Sequence, residues 1–389
     1  MNKQVYFLTV VAFVVGMVEL IIGGILDLIA DDLNVGLGKV GFLITIFSLI
    51  FAIGSPLLLV WTASMERKRL MLISLAVFFT GNVVTVFSLS YAVVFIGRVI
   101  LALSGSLLVI LCLTIAPSIV HPKYRGRAIG IVSMGISASI VLGLPVGLLM
   151  GNAFGWRAPF VLITFLTVLS AVGVSMLMDR VQPNPSYPLR KQLATLKNRK
   201  IFFGQTVTFL FLAGHTTLYA YLTPFAKTTL DASGTWVSVI YLIFGAAAVS
   251  GGGVGGFLSD TIGSKRTILL TTLLFTLIMF SIPGATVAWP AFLAIVVIWG
   301  MLSWTLAPAT QSYLMGLSPE TSDIQQSLNN SALHLGIAVG SLVGGLVIER
   351  ASVEMNAVVG GSMIVLAVGA AIVSIYGDDR SSIIEKQMD

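Results

Sequence analysis

Long apolar runs recur along the whole chain, and short polar or charged breaks separate them. A bilayer core takes about 20 apolar residues per helix. The runs near 5–27, 40–62, 70–89, 91–117, 127–150, 157–178, 201–225, 235–258, 267–284, 290–316, 324–348 and 355–376 therefore predict twelve membrane-spanning helices. The sharpest breaks are Glu66-Arg67-Lys68-Arg69 and the segment from Asp260 to Arg266. Helices are expected throughout, because lipid offers no partner to an open backbone N–H or C=O.

Composition agrees with this pattern. Apolar residues make up 57% of the chain and charged residues 10%, against about 25% charged in soluble domains. Lipid is the solvent for most of the surface. The net charge of +6 does not point to nucleic acid, because the basic residues sit between apolar runs. The single cysteine, Cys112, lies inside an apolar run, so no disulfide framework or cysteine metal site is expected. A cleaved signal peptide is not expected: the run from Val5 is too long and has no A-x-A site.

Lys and Arg mark the cytoplasmic side. With the N-terminus inside, Lys3, Arg67, Lys68, Arg69, Lys123, Arg125, Arg127, Arg180, Arg190, Lys191, Lys197, Arg199, Lys200, Lys265, Arg266, Arg380 and Lys386 fall inside. Only Lys39, Arg157, Lys227 and Arg350 fall outside. Both termini are thus expected in the cytoplasm, in a multi-pass protein of the cell membrane.

The most hydrophilic internal segment, 179–200, holds three prolines and six basic residues, the composition of a cytoplasmic linker. It divides the spans six and six. The halves align at an offset of 197: Lys68-Arg69 falls on Lys265-Arg266, and Gly143 and Gly147 fall on Gly340 and Gly344. The run Ile115-Ala116-Pro117 has a near counterpart in Leu306-Ala307-Pro308 at a slightly different offset. A duplication follows, with an N-terminal six-helix bundle over 1–178, the linker, a C-terminal six-helix bundle over 201–378 and a cytoplasmic tail over 379–389. Parallel six-span repeats place a substrate site between the halves at mid-membrane.

One loop is highly specific. Gly256-Phe-Leu-Ser-Asp260-Thr-Ile-Gly263-Ser-Lys265-Arg266 resembles the loop signature of the major facilitator superfamily, G-x-L-x-D-x-x-G-x-[RK]-[RK]. Positive-inside bias alone would not bring Gly256, Asp260 and Gly263 together. In the first half Ala63 replaces the acid and Glu66 the second glycine, so the charge latch there must differ. Gly251-Gly-Gly-Val-Gly-Gly256 ends a membrane run rather than following a strand, so it reads as helix packing and not as a dinucleotide loop. Gly135 through Gly143-Leu144-Pro145-Val146-Gly147 resembles the fifth-span antiporter motif of drug efflux members of that superfamily, with Gly and Pro spaced out by Leu144.

Glu19 stands near the middle of span 1. A carboxyl there faces the bundle interior or a water cavity, and it suits a group that binds and releases a proton. A structural hydrogen bond to a neighbouring helix is the plainer alternative. Arg98, in Gly97-Arg98-Val-Ile-Leu-Ala-Leu-Ser-Gly105, resembles the superfamily's fourth-span arginine motif, which implies a part in proton transfer. A snorkelling or helix-pinning arginine is the alternative. His215 and His334 lie mid-span, with no third ligand at metal spacing, so no metal site is expected. Either can relay a proton, hydrogen-bond a heterocycle or simply pack. Tyr219, Tyr221, Trp299, Trp304, Gln325, Asn329 and Asn330 add aromatic faces and amides. Together they would suit a flat polar heterocycle. Interhelical hydrogen bonds and an interfacial aromatic belt account for part of the set.

Several further segments are similar to the purine base and nucleoside efflux pumps of the drug:proton antiporter branch. Among them are Val18-Glu-Leu-Ile-Ile-Gly-Gly-Ile-Leu26, Ala213-Gly-His-Thr-Thr-Leu-Tyr-Ala-Tyr221, Trp299-Gly-Met-Leu-Ser-Trp-Thr-Leu-Ala-Pro308 and Ser322-Asp-Ile-Gln-Gln-Ser-Leu-Asn329. The resemblance implies efflux of purines from the cytoplasm, coupled to proton entry. A monomer is expected, with the proton gradient as energy source and no cofactor. A multidrug or sugar exporter is the alternative within transport. A membrane enzyme is disfavoured, since neither HExxH nor GxSxG occurs. A receptor is disfavoured by short external loops.

Overall fold

The computed structural model describes residues 3–121, 124–182 and 189–377. Every regular element among them is helical. Long helices form at each of the twelve expected places: α1 Lys3–Gly24, α2 Leu37–Trp61, α3 Arg67–Val86 and α4 Tyr91–Ser118. α5 runs as Arg125–Ala138, a π-helical turn Ser139–Gly143, and Leu144–Phe154. Then come α6 Ala158–Leu177, α7 Arg199–Tyr219, α8 Gly234–Thr261, α9 Ser264–Ala285, α10 Trp289–Leu317, α11 Ser322–Arg350 and α12 Met355–Tyr376. α2 to α12 each hold a stretch long and apolar enough to cross a membrane. The sequence-predicted tail 379–389 and residues 183–188 of the linker lie outside the described residues.

Two predicted spans are interrupted where the sequence reading runs on. Span 1 breaks at Ile25 and continues as Leu26–Leu33; span 7 breaks after Tyr219 and continues as Leu222–Leu230. Both continuations end on a left-handed residue, Asn34 (φ 52) and Asp231 (φ 50). Asn and Asp tolerate that conformation better than other side chains. These two residues stand at the same offset as Gly143 and Gly340.

Packing repeats as well. Gly143 and Gly147 of α5 lie on Met17 and Ile21 of α1, where a Cβ would come within 2.8 and 2.6 Å of their side chains. Gly340 and Gly344 of α11 lie against the carbonyls of Ala213 and Thr217 of α7. Small residues let these backbones approach, which is the main attraction available between helices in lipid. Gly251 and Gly255 of α8 pack in the same way on Met301 and Thr305 of α10, whereas Gly252, Gly253 and Gly256 face open space.

Exposed stripes run along Val161, Phe165, Leu169, Val172 and Met176 of α6, and along Leu270, Leu273, Leu274 and Leu277 of α9. Their size and apolarity fit contact with lipid tails.

The halves meet mainly at the end away from the basic loops. Lys227 pairs with Asp27 there. Thr223 donates to the Gly23 carbonyl at 3.0 Å, and the Tyr241 hydroxyl to the same carbonyl at 3.3 Å. Ser341 donates to the Gly41 carbonyl at 2.9 Å. Nearer the other end, Ser331 donates to the Ala52 carbonyl at 3.1 Å.

Candidate functional site

Glu19 sits on α1, a little under two turns before the break at Ile25. Its Oε1 lies 3.1 Å from Nε2 of His334, on α11 of the other half. The side chains are 18% and 6% exposed, so the contact is largely shielded. The His334 Nδ1 is 2.9 Å from the Asn330 carbonyl one turn earlier. Its ring stacks on Phe51 of α2 at 4.2 Å, with planes 14° apart.

Arg98 is fully buried two turns into α4. Its Nη1 donates to the Val18 carbonyl at 2.8 Å and its Nε to that of Leu43 at 3.4 Å. The guanidinium lies 4.1 Å over the Phe47 ring. Nη2 is buried with no hydrogen-bond partner. Carbonyl dipoles and a ring face thus hold a charge that is costly to bury. Val18 adjoins Glu19 in α1, so the guanidinium is held in the same half as the carboxyl.

A second cluster fills the C-terminal half. His215 stacks near Tyr219 at 5.0 Å and Phe244 at 5.9 Å. Trp299 and Phe275 meet it edge-on, at 5.5 and 5.8 Å. Tyr219 lies 4.8 Å from Phe244 and 5.7 Å from Tyr241. His215 Nδ1 and Trp299 Nε1 are buried there without hydrogen-bond partners. Each such group costs about 1–3 kcal/mol until something pairs with it. The cluster reaches the first half through Tyr241, whose hydroxyl touches Gly23, one turn beyond Glu19.

Other residues singled out in the sequence lie elsewhere. Asn329 gives its amide hydrogens to Gln205 Oε1 at 3.0 Å and Thr208 Oγ1 at 2.8 Å. The Gln205 amide in turn donates to Gln325 Oε1 at 3.3 Å. This buried chain ties α7 to α11. Asn330 is exposed. The Tyr221 hydroxyl donates to the Ser341 carbonyl at 2.9 Å, and it packs on Gly41, Gly344 and Gly345. Tyr221 therefore plugs the closed end. Trp304 is partly buried and, among the described residues, makes none of the ring contacts of the His215 cluster.

Gly263 opens α9 with φ 89, which glycine adopts freely. Asp260, Lys265 and Arg266 around it are exposed. In the first-half loop, Glu66 caps α3 by accepting from Lys68 N at 2.8 Å and Arg69 N at 2.9 Å. It also accepts from Val181 N at 2.9 Å. That is the different latch which the missing acid and glycine required. Pro145 is buried in the first turn after the π-helical segment.

Comparison with known proteins places this fold in a family. The sequence pattern of the Major Facilitator Superfamily matches residues 8–341, and again 208–386. The chain belongs to the major facilitator superfamily. Within it, the chain is 34% identical over 371 residues to the uncharacterized MFS-type transporter YbcL of Bacillus subtilis, covering 95% of each chain. It is 28% identical over 354 residues to a probable sugar efflux transporter of Mannheimia succiniciproducens, covering 90% of this chain and 89% of that one. A solved structure of a bacterial homolog to the human lysosomal transporter Spinster, inward-facing and occupied, superposes with a TM-score of 0.81 at 16% identity. That likeness covers 96% of both chains and shows the shared fold. As a member of this superfamily, the protein is a membrane transporter of small molecules and not an enzyme.

Proposed function

We propose that this transporter exports purine bases, nucleosides or related flat solutes in exchange for protons. The observation that carries the reading is the aromatic cluster around His215, with two buried polar atoms lacking partners. Trp299 Nε1–H can only donate, and the free His215 nitrogen donates or accepts according to tautomer. A purine presents ring nitrogens and a carbonyl or amine on a flat π-face, so it meets both needs while stacking on Tyr219 or Phe244. The resemblance of segments 18–26, 213–221, 299–308 and 322–329 to purine efflux pumps of the drug:proton antiporter branch supports the same solute class.

Coupling is assigned to Glu19, with Arg98 beside it. A neutral carboxyl crosses an occluded state at far lower cost than an anion. When the proton leaves, the open Nη2 of Arg98 offers the carboxylate a donor. The transporter works by alternating access in the cell membrane as a monomer, with both termini cytoplasmic, and the proton gradient replaces any cofactor. In that orientation, the end closed by Tyr221, Ser341 and the Asp27–Lys227 pair is the outer one.

The name of the Mannheimia relative favours a second reading, sugar efflux. Sugars also stack on rings but need several hydroxyl partners, and the Asn329 and Gln325 amides already serve α7 and α11. Counterflow in proteoliposomes separates the two. Labelled hypoxanthine should accumulate transiently, and adenine or guanosine should compete. Counterflow of a sugar or a drug with none of hypoxanthine would replace the purine reading.

A further inference from the structure

The contact between Glu19 and His334 contains a proton count. The Asn330 carbonyl can only accept, so the 2.9 Å hydrogen bond requires a hydrogen on His334 Nδ1. In a neutral imidazole with that tautomer, Nε2 presents a bare lone pair. An ionised Glu19 Oε1, 3.1 Å away, presents only lone pairs as well. Two lone pairs facing at that distance repel; one proton between them makes a hydrogen bond.

We propose that Glu19 and His334 together form the transported proton's binding site, holding one proton between the two halves. The proposal rests on the proton-coupled reading and adds His334, which it assigns to coupling and not to solute recognition. The proton resides either as a carboxylic acid donating to Nε2 or as an imidazolium donating to a carboxylate. Both arrangements contain the same single proton, and the titration belongs to the pair.

The location gives the proton a mechanical effect. α1 belongs to one half and α11 to the other, so the shared proton is a bond across the transport path. Its loss replaces that bond with lone-pair repulsion, and the tie between the halves at Glu19 opens. The carboxylate then has Arg98 of α4 within its own half. Of the other groups around α1 and α11, His215, Tyr219 and Tyr241 lie in the aromatic cluster. The Asp27–Lys227 pair lies further toward the closed end. Phe51 covers one face of the His334 ring and supplies no proton.

The chain has three histidines, His121, His215 and His334. Nitrogen-15 labelling of histidine in lipid nanodiscs therefore gives a spectrum of three imidazoles, and His334→Gln assigns one by its disappearance. Without substrate or gradient, the His334 spectrum should show a hydrogen on Nδ1 and a second one on or shared with Nε2. In Glu19→Gln the hydrogen at Nε2 should be lost. A bare Nε2 in wild type, or a His334 signal that does not change in Glu19→Gln, would overturn the proposal.

A transport measurement gives a second reading. His334→Gln keeps a hydrogen-bonding amide in the gap, so it should lose substrate-driven proton flux while counterflow continues. Full proton flux in that variant would also overturn the proposal. Failure of the parent reading looks different: wild type itself would show no substrate-driven proton flux, while the spectrum of His334 would still report where its proton resides.

Discussion

Glu19 and His215 occupy matching places in the two halves. Gly143 rests on Met17 and Gly340 on Ala213, and two residues further along each helix stand Glu19 and His215. Around the first, the helices bring a fully buried arginine and a histidine from across the interface. Around the second, they bring Tyr219, Phe244, Phe275 and Trp299. One packing scheme therefore carries two environments, one of ionisable groups and one of aromatic rings. Duplication preserved what lipid-phase packing demands, small residues at close crossings. The positions between the glycines were free to divide the labour. The two environments touch where Tyr241 reaches Gly23.

The shared packing can be broken most strongly at Gly340. A Cβ there meets the backbone of Ala213, which cannot swing aside. Gly340→Leu should lower the melting temperature in detergent sharply, since overpacking costs about 1–3 kcal/mol or more. Gly130 has nothing within reach, and Gly130→Leu should melt like wild type. Equal melting of the two variants would remove close packing as the common feature of the halves.

The division of labour is sharpened at Trp299. Trp299→Phe keeps an aromatic ring and removes the unpartnered N–H. Half-saturation for hypoxanthine in counterflow should rise about tenfold, the effect of one buried hydrogen bond. Thermal stability should not fall in proportion, because the N–H has no protein partner to lose. Unchanged half-saturation would take Trp299 out of the solute site.

The smallest effect lies in the two loops that differ most. Burial of Glu66 would raise its affinity for a proton, but N–H groups of Val181, Lys68 and Arg69, with Arg180 nearby, outweigh it and hold the carboxyl below its usual range. A depressed carboxyl stabilises the fold above its unfolded value, near 4.3, and the benefit fades as pH falls through the folded value. Melting of wild type should therefore drop more between about pH 5 and 3 than melting of Glu66→Gln. The Asp260 loop has no such carboxylate cap on the following helix, whose first residue is preceded by Gly263.

Much of the fold was legible because lipid imposes it. Apolar runs located every long helix, and the glycine offset announced the duplication before Met17 and Ala213 displayed it. The breaks at Ile25 and after Tyr219, and the π-helical turn at Ser139–Gly143, were not legible. Apolar residues continue through all three, so hydropathy does not change. In the site, His215, Tyr219 and Trp299 stood out as polar or amphipathic groups in hydrocarbon. Phe244 and Phe275 did not, because a phenylalanine packed on His215 reads the same in sequence as one facing lipid. Nor could spacing reveal that Glu19 and His334 meet: they are far apart in sequence and on opposite halves. Asn329 and Gln325 were visible, but their use became clear only with Gln205 and Thr208 in place.

Substrate-driven proton flux across proteoliposomes tests the account most directly. A pH-sensitive dye inside the vesicles reports protons moving when hypoxanthine is added to one side, for wild type and Glu19→Gln together. Glutamine keeps the size and the neutral state of the protonated side chain, so no cavity confuses the comparison. Wild type should move protons against hypoxanthine, and Glu19→Gln should move none while still exchanging labelled for unlabelled hypoxanthine. Equal proton movement in the two would contradict the assignment of Glu19 as the coupling group.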